Sequence, residues 1–249
     1  MTLSRQQIET YNSDGIVFPV KVFSSEEVFY FRTALEKVLA DFEQLKRLDG
    51  LHLFFPWAYR LATHDALLNT VAQVLGEDIL VDGTLVFYKP AHDSSYVSWH
   101  QDSVYSSWHL TPSTSAWIAL TPSKRENGCM RAIPGSHKQG VLSHTNHRDK
   151  SNLLVRGEQV ATVNEASAVD VVLEPGEISL HHSTLVHGSN ANDSDQPRIG
   201  FIVRFVTNQI AKQERPVLRV RGNGDCSHLT IAQAPAENDL SAWRAFNNC

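Results

Sequence analysis

Trp99-His100-Gln101-Asp102 places an imidazole and a carboxylate two positions apart. Along an extended strand, residues two apart project from the same face. His100 and Asp102 would then stand side by side, with Tyr96 and Ser98 on their face and Val97 and Trp99 opposite. A second imidazole from a later strand would complete a two-histidine, one-carboxylate facial triad. That donor set holds iron(II) and leaves positions open for a cosubstrate and O2. His-x-Asp recurs at His147-Arg148-Asp149. This copy sits in a polar run, Thr145 to Asn152, without strand alternation, where ligands would lack rigid support, so it is read as a solvated loop.

His181, His182 and His187 are candidates for the second imidazole. The residues after His187 favour it over the other two. His187-Gly188-Ser189 leads through a polar turn to Arg198, eleven positions on, which opens the apolar run Ile199–Thr207. A guanidinium beside a hydroxyl is shaped to hold a carboxylate with two parallel hydrogen bonds, as the distal end of 2-oxoglutarate requires. Alternation along the run puts Ile199, Phe201, Val203 and Phe205 on one face. Arg198, Gly200, Ile202 and Arg204 fall on the other, with Arg198 at the mouth of the fold and Gly200 leaving room.

The elements that must position these groups change character along the chain. In the first third, Ser4 caps a short helix that ends before Asp14-Gly15, and Ile16-Val17-Phe18 comes next as a strand. Ser24 with Glu27 has capping-box spacing. Val28, Phe31, Leu35, Val38, Leu39 and Phe42 recur at helical intervals behind it, so the spacing predicts a helix to about residue 46. Asp65 and Gly76 bracket another. After Gly76 the period shortens. Stretches at Ile79–Lys89, Tyr96–Asp102, Thr114–Leu120, Met130–Ile133, Val169–Leu173, Ile178–His182, Ile199–Thr207 and Pro216–Val220 alternate with Pro- and Gly-containing turns, the pattern of a sandwich or barrel. Residues 138–166 are polar and unpatterned, which suggests a lid or binding loop. The stretch after Gly222 is weakly patterned, with Trp243 and Phe246 as possible docking points.

A chain of 249 residues suits one domain: an N-terminal helical flank at about 1–78 and a β core at about 79–220. The net charge of -5 argues against a general nucleic-acid binder. No apolar run reaches the roughly 18 residues of a membrane helix, and the first residues show no apolar signal region. The expected location is therefore cytoplasmic. Three unpatterned cysteines, Cys129, Cys226 and Cys249, are read as free thiols.

Taken together, these blocks resemble the phytanoyl-CoA dioxygenase family over roughly residues 8 to 207. The resemblance is carried by Asp14-Gly15-Ile16-Val17-Phe18, Tyr88-Lys89-Pro90, Trp99-His100-Gln101-Asp102, Ala116-Trp117, Asn127-Gly128-Cys129 and Ile133-Pro134-Gly135-Ser136-His137. The last block runs from His187-Gly188-Ser189-Asn190 to Pro197-Arg198-Ile199-Gly200. It implies a mainly β, double-stranded β-helix (jelly-roll, cupin-like) core with N-terminal helices. It implies Fe(II) on His100, Asp102 and His187, and 2-oxoglutarate held by Arg198 and Ser189 with Trp117 nearby. O2 would be the oxidant, with succinate and CO2 released. Halogenases of this type have a small residue in place of the carboxylate, so Asp102 implies hydroxylation. His137 is read as structural, and Gln101, on the opposite face from the ligands, is given no catalytic role.

The substrate is less legible. Tyr105, Trp108 and His109 would wall a pocket near the metal motif, and Arg131 and Arg204 could meet an anionic group if they face inward. With no strongly basic track for a nucleotide, a small polar metabolite or natural-product intermediate is the expected partner. Two other readings stay open: a cupin-like metalloenzyme that does not use 2-oxoglutarate, and a non-catalytic ligand-binding jelly roll.

Overall fold

The computed structural model describes residues 2–42, 45–105 and 111–247. In chain order the elements are α1 (Arg5–Asp14), β1 (Ile16–Lys21), α2 (Ser25–Ala40), β2 (Arg47–Asp49), α3 (Pro56–Ala62), α4 (Asp65–Leu75), β3 (Ile79–Lys89) and β4 (Val97–His100). These are followed by β5 (Ser113–Ala119), β6 (Met130–Ala132), β7 (His144–Asn146), β8 (Glu158–Val160), β9 (Val169–Val171) and β10 (Glu177–His182). The chain ends with β11 (His187–Ser189), β12 (Arg198–Thr207), β13 (Leu218–Arg221) and α5 (Leu240–Asn247).

Local sequence sets the ends of the first helices. Ser4 and Gln7 form a reciprocal capping box on α1, and Ser24 and Glu27 form one on α2. Gly15 ends α1 in the left-handed region (φ 77°), where a Cβ would be strained. α2 stops at Ala40, about six residues short of the predicted end, with Asp41 N–H bonding back to Val38. The apolar spacing runs on to Phe42, but the chain must turn so that Arg47–Asp49 can pair with β3. Phe42 instead packs against Trp243, 5.0 Å between ring centroids.

The strands form two main antiparallel sheets. The larger runs β1-β10-β5-β12-β3-β13, with β2 also on β3; the smaller runs β4-β11-β6-β9; β7 and β8 make a separate hairpin. β12 is the spine of the larger sheet, paired with β3 from Arg198↔Lys89 to Thr207↔Ile79 and with β5 from Gly200↔Ala119 to Val206↔Ser113.

The alternation of β12 sorts the core into two sides. Ile199, Phe201, Val203 and Phe205 join the apolar cluster with α2, α3 and α4, where Trp57 meets Phe201 edge-on at 6.1 Å. Complete burial of Phe201 and Phe205 contributes about 1.5–3 kcal/mol each. Ile202 faces the other way and packs with Leu85, Phe87, Val97, Trp117 and Met130 from both sheets.

The chain after Gly222 docks through α5. Trp243 is fully buried, and its Nε1–H donates to the Asp49 carbonyl at 2.7 Å. Phe246 lies over Gly50, which at φ 72° has no Cβ to collide with the ring. No helix among the described residues is long and apolar enough to cross a membrane. Trp243→Ala should cost roughly 3–5 kcal/mol by loss of a buried indole, read as a lower urea midpoint at unchanged slope.

Candidate metal and cosubstrate site

The two histidines of the triad meet because β4 pairs with β11. His100 ends β4, His187 opens β11, and the two are direct cross-strand partners. Their ring centroids are 4.2 Å apart. Donor atoms of His100, Asp102 and His187 all lie within 4.8 Å of one another, and all three residues are buried. Each ring is oriented through its backbone-facing nitrogen. His100 Nδ1 meets the Ser98 carbonyl at 2.9 Å, and His187 Nδ1 meets the Leu185 carbonyl at 3.0 Å. A carbonyl only accepts, so Nδ1 carries the proton and each Nε2 lone pair is left for a metal.

Electrostatics keep the donors in their ligating forms. Burial holds both imidazoles below their ordinary range, His187 well below, and the mutual repulsion of the histidine cluster adds to this. Burial alone would raise the Asp102 carboxyl. The Arg204 guanidinium and the histidines around it outweigh that and hold it well below the usual carboxylate range. Neutral histidines and an ionised carboxylate fit a divalent first-row metal.

The route to this geometry differs from simple strand alternation. β4 ends at His100, and Asp102 begins a short 3-10 turn, Asp102–Tyr105. A register shift in the β4–β11 pair lets Val97 and His100, three apart, line the same cavity. Ser98, expected on the ligand face, instead donates to the Glu158 carbonyl of β8 and accepts from Asn152. Tyr96 donates to Asp149. Gln101 explains the break. Its Nε2 donates to the Thr184 and Gly140 carbonyls at 2.6 and 2.8 Å, and its Oε1 accepts from Leu142 N–H at 2.8 Å. Its own N–H reaches His144 Nε2 at 3.3 Å. The residue between the ligands is a structural staple that turns the chain and ties it to the 138–166 segment. That segment contains the β7–β8 hairpin, and Leu154 from it lines the cavity.

The cavity is lined by both sheets. Arg198 lies in its wall, 1% exposed, with Nε and Nη2 buried and without hydrogen-bond partners. Burial draws its guanidinium down to about 10, still charged near neutrality. The Trp117 ring stacks against it, 5.4 Å from centroid to Cζ. Gly200 makes this possible, because a Cβ there would lie 2.2 Å from Trp117 Cζ2. Ser189 lines the same cavity.

Arg204 also faces inward, but its Nη2 donates to Asp102 Oδ1 at 3.1 Å, a partner in the metal motif itself. Arg131 does not face the cavity. It pairs with Glu165 and Asp170, and its guanidinium lies 5.2 Å from the Trp99 ring, because β6 turns this position to the outer side of the smaller sheet. Trp108, His109 and the Tyr105 side chain lie outside the described residues. His137 packs over Gly15 and beside His182. Cys129 and Cys226 are buried free thiols, and burial pushes Cys129 up to about 11.

Two residues at the site, Lys89 and Ser115, were not singled out by sequence reasoning, and a third, His181, was weighed only as a metal ligand. Lys89, fully buried, pairs with Arg198 across β3 and β12 and donates to Ser189 Oγ (2.8 Å) and to the Asn190 carbonyl. Burial and the neighbouring Arg198 charge bring it down to about 6. Ser115 donates to Asp102 Oδ2 at 2.6 Å, and His181 sits beside that same oxygen at 3.5 Å. The Lys-Pro strand end was a signal for Lys89; Ser115 carried none, and nothing near His181 marked it as a neighbour of Asp102.

The family model for phytanoyl-CoA dioxygenase matches residues 11–200. The chain belongs to the phytanoyl-CoA dioxygenase family. Its relatives include a probable alpha-ketoglutarate-dependent hypophosphite dioxygenase of Stutzerimonas stutzeri and an ectoine dioxygenase of Sphingopyxis alaskensis. The first is 27% identical over 76% of this chain and 65% of its own length. The second is 23% identical over 96% and 90%. Among solved structures, a non-heme monooxygenase, ThoJ in its apo form, superposes with a TM-score of 0.80 at 32% identity, covering 97% of this chain and 94% of that one. Family membership and the His-Asp-His donor set make the chain an Fe(II)- and 2-oxoglutarate-dependent dioxygenase. Alanine at His100, Asp102 or His187 should abolish stoichiometric Co(II) retention after gel filtration, while His147→Ala should leave it unchanged.

Proposed function

We propose that this dioxygenase hydroxylates an unactivated C–H bond of a small polar metabolite or natural-product intermediate, with Arg198, Ser189 and Trp117 holding 2-oxoglutarate. The observation that carries the reading is Arg198: a buried guanidinium with two unpartnered nitrogens, Nε and Nη2, in the wall of the cavity that the triad lines. An unpaired buried cation is costly unless a ligand completes it. The planar donor pair suits a carboxylate. The strand order supports the double-stranded β-helix: β3, β5, β10 and β12 on one sheet alternate with β4, β6, β9 and β11 on the other.

His100, Asp102 and His187 would hold the iron, which with 2-oxoglutarate and O2 supplies the oxidising chemistry, releasing succinate and CO2. The chain's own residues position and exclude. Arg198 and Ser189 grip the distal carboxylate, and Trp117 fixes the guanidinium plane. Leu85, Phe87, Ile202 and Leu154 keep water from the reacting centre. Asp102, a carboxylate where halogenation needs an open position, supports hydroxylation. Arg204 also borders a larger, polar cleft with Arg47, Asp49, Asp82, Val155 and Arg156. Such a mouth supports a polar substrate over a long acyl chain, and segment 138–166, which contributes Val155 and Arg156, would be its lid.

Two outcomes test this. Added anaerobically to wild-type protein, Fe(II) and 2-oxoglutarate should give the weak visible charge-transfer band of the chelate at one equivalent. Arg198→Ala should need far more 2-oxoglutarate to reach it, since truncating one partner of a buried charge pair costs about 2–5 kcal/mol. An absent band in wild type would remove 2-oxoglutarate from the assignment. The second concerns Lys89. Without cosubstrate it is neutral above about pH 6. A carboxylate placed beside it favours the charged form, so binding takes up a proton and 2-oxoglutarate affinity falls as pH rises from about 6. Calorimetry at pH 7.5 in buffers of different ionisation enthalpy should report that uptake, and Lys89→Met should lose it.

A further inference from the structure

His181 faces the cavity from β10, 1% exposed, yet neither of its ring nitrogens has a hydrogen-bond partner. A buried imidazole left unpaired costs free energy that a phenyl ring of similar shape would not. Packing alone therefore does not account for a histidine at this position. The groups around it point to a task. Its ring stands 4.7 Å from that of His187, and its Nε2 lies 3.5 Å from Asp102 Oδ2. Its direct cross-strand partner on β5 is Ser115, whose hydroxyl donates to that same oxygen at 2.6 Å.

The two oxygens of Asp102 thus have different surroundings. Oδ1 faces His100 Nε2 at 3.8 Å and accepts from Arg204. Oδ2 is turned toward β5 and β10, to a hydroxyl and an imidazole. A carboxylate can ligate a metal through one oxygen or through both. Chelation by both would consume a position that the cosubstrate or O2 needs.

We infer that His181 and Ser115 form a positioning pair that engages Oδ2 and presents Oδ1 alone to the metal. The inference rests on the iron and 2-oxoglutarate reading of the same site. His181 contributes through an Nε2–H donor, and its role is to orient Asp102, not to ligate.

The test compares full-length wild type, His181→Phe, His181→Gln and Ser115→Ala by anaerobic Co(II) titration, followed by visible absorption, with thermal unfolding of each metal-free protein alongside. Loss of an orienting partner behind a ligand typically weakens metal binding by about 10–100-fold. We expect that loss in His181→Phe, with an altered Co(II) band. His181→Gln, which keeps an N–H donor, should recover most of both. Thermal unfolding of the metal-free variants shows whether each folds, so that a weakened Co(II) affinity is read on folded protein. Co(II) affinity within twofold of wild type in His181→Phe, or no recovery in His181→Gln, would overturn the inference. If His181→Phe does not fold, Ser115→Ala and His181→Gln decide it: a weakened, band-shifted Ser115→Ala beside a near-normal His181→Gln supports the pair, and an unchanged Ser115→Ala refutes it. A wild type that takes up no Co(II) would overturn the underlying metal assignment itself, an outcome distinct from variants that bind as well as wild type.

Discussion

The site depends on one backbone pairing, that of β4 with β11. It sets His100 directly opposite His187 and brings their rings to 4.2 Å. Cross-strand partners in an antiparallel pair are held at fixed separation by the ladder itself, so the two imidazoles need little further support than the carbonyls behind them. The carboxylate is positioned by a different device. Gln101, fully buried, spends its side chain on three backbone groups from two other segments and turns the chain into the short helix where Asp102 lies. Two ligands are placed by a sheet and the third by a stapled turn.

A second pairing does the same for the cavity wall that carries Arg198. β3 and β12 run alongside for their full length, and at the terminus of that ladder Lys89 meets Arg198. Placing a lysine beside a guanidinium in a closed wall disfavours its charge, and Lys89 is drawn down to about 6. The sheet can impose this placement because ten cross-strand pairs, with an apolar outer face packed under three helices, hold the register. Gly200 then clears the volume that the Trp117 ring needs to lie against Arg198.

Much of this was legible in the residues. The alternation from Arg198 to Phe205 separated the core face from the cavity face, and β3 begins and ends at the residues its composition suggested, Ile79 and Lys89. The His-x-Asp spacing located two ligands, although the expected geometry was wrong. A continuous strand would have put Ser98 beside them, whereas a bulge and a turn put Val97 there. Both depend on partners tens of residues away, which local periodicity does not reveal. Arg131 was open to either face by pattern, and only the acidic residues of β9 and the 165–167 turn explain its outward position. Ser115 and His181 matter through their pairing with each other across two strands, and no spacing along the chain connects them. The end of α2 was missed for a similar reason: Phe42 reads as one more helical apolar residue, but its partner is Trp243, two hundred residues later.

The unpartnered guanidinium of Arg198, with Lys89 at its side, has a bearing beyond turnover. A fold that keeps a buried guanidinium with open donors in a dry wall would gain more from an anion bound there than occupancy of a site. An anion binding only the native state raises the free energy of unfolding with the logarithm of its concentration. The persistence of the native chain would then depend on the supply of that anion, and its shortage would leave the protein more open to proteolysis as well as idle.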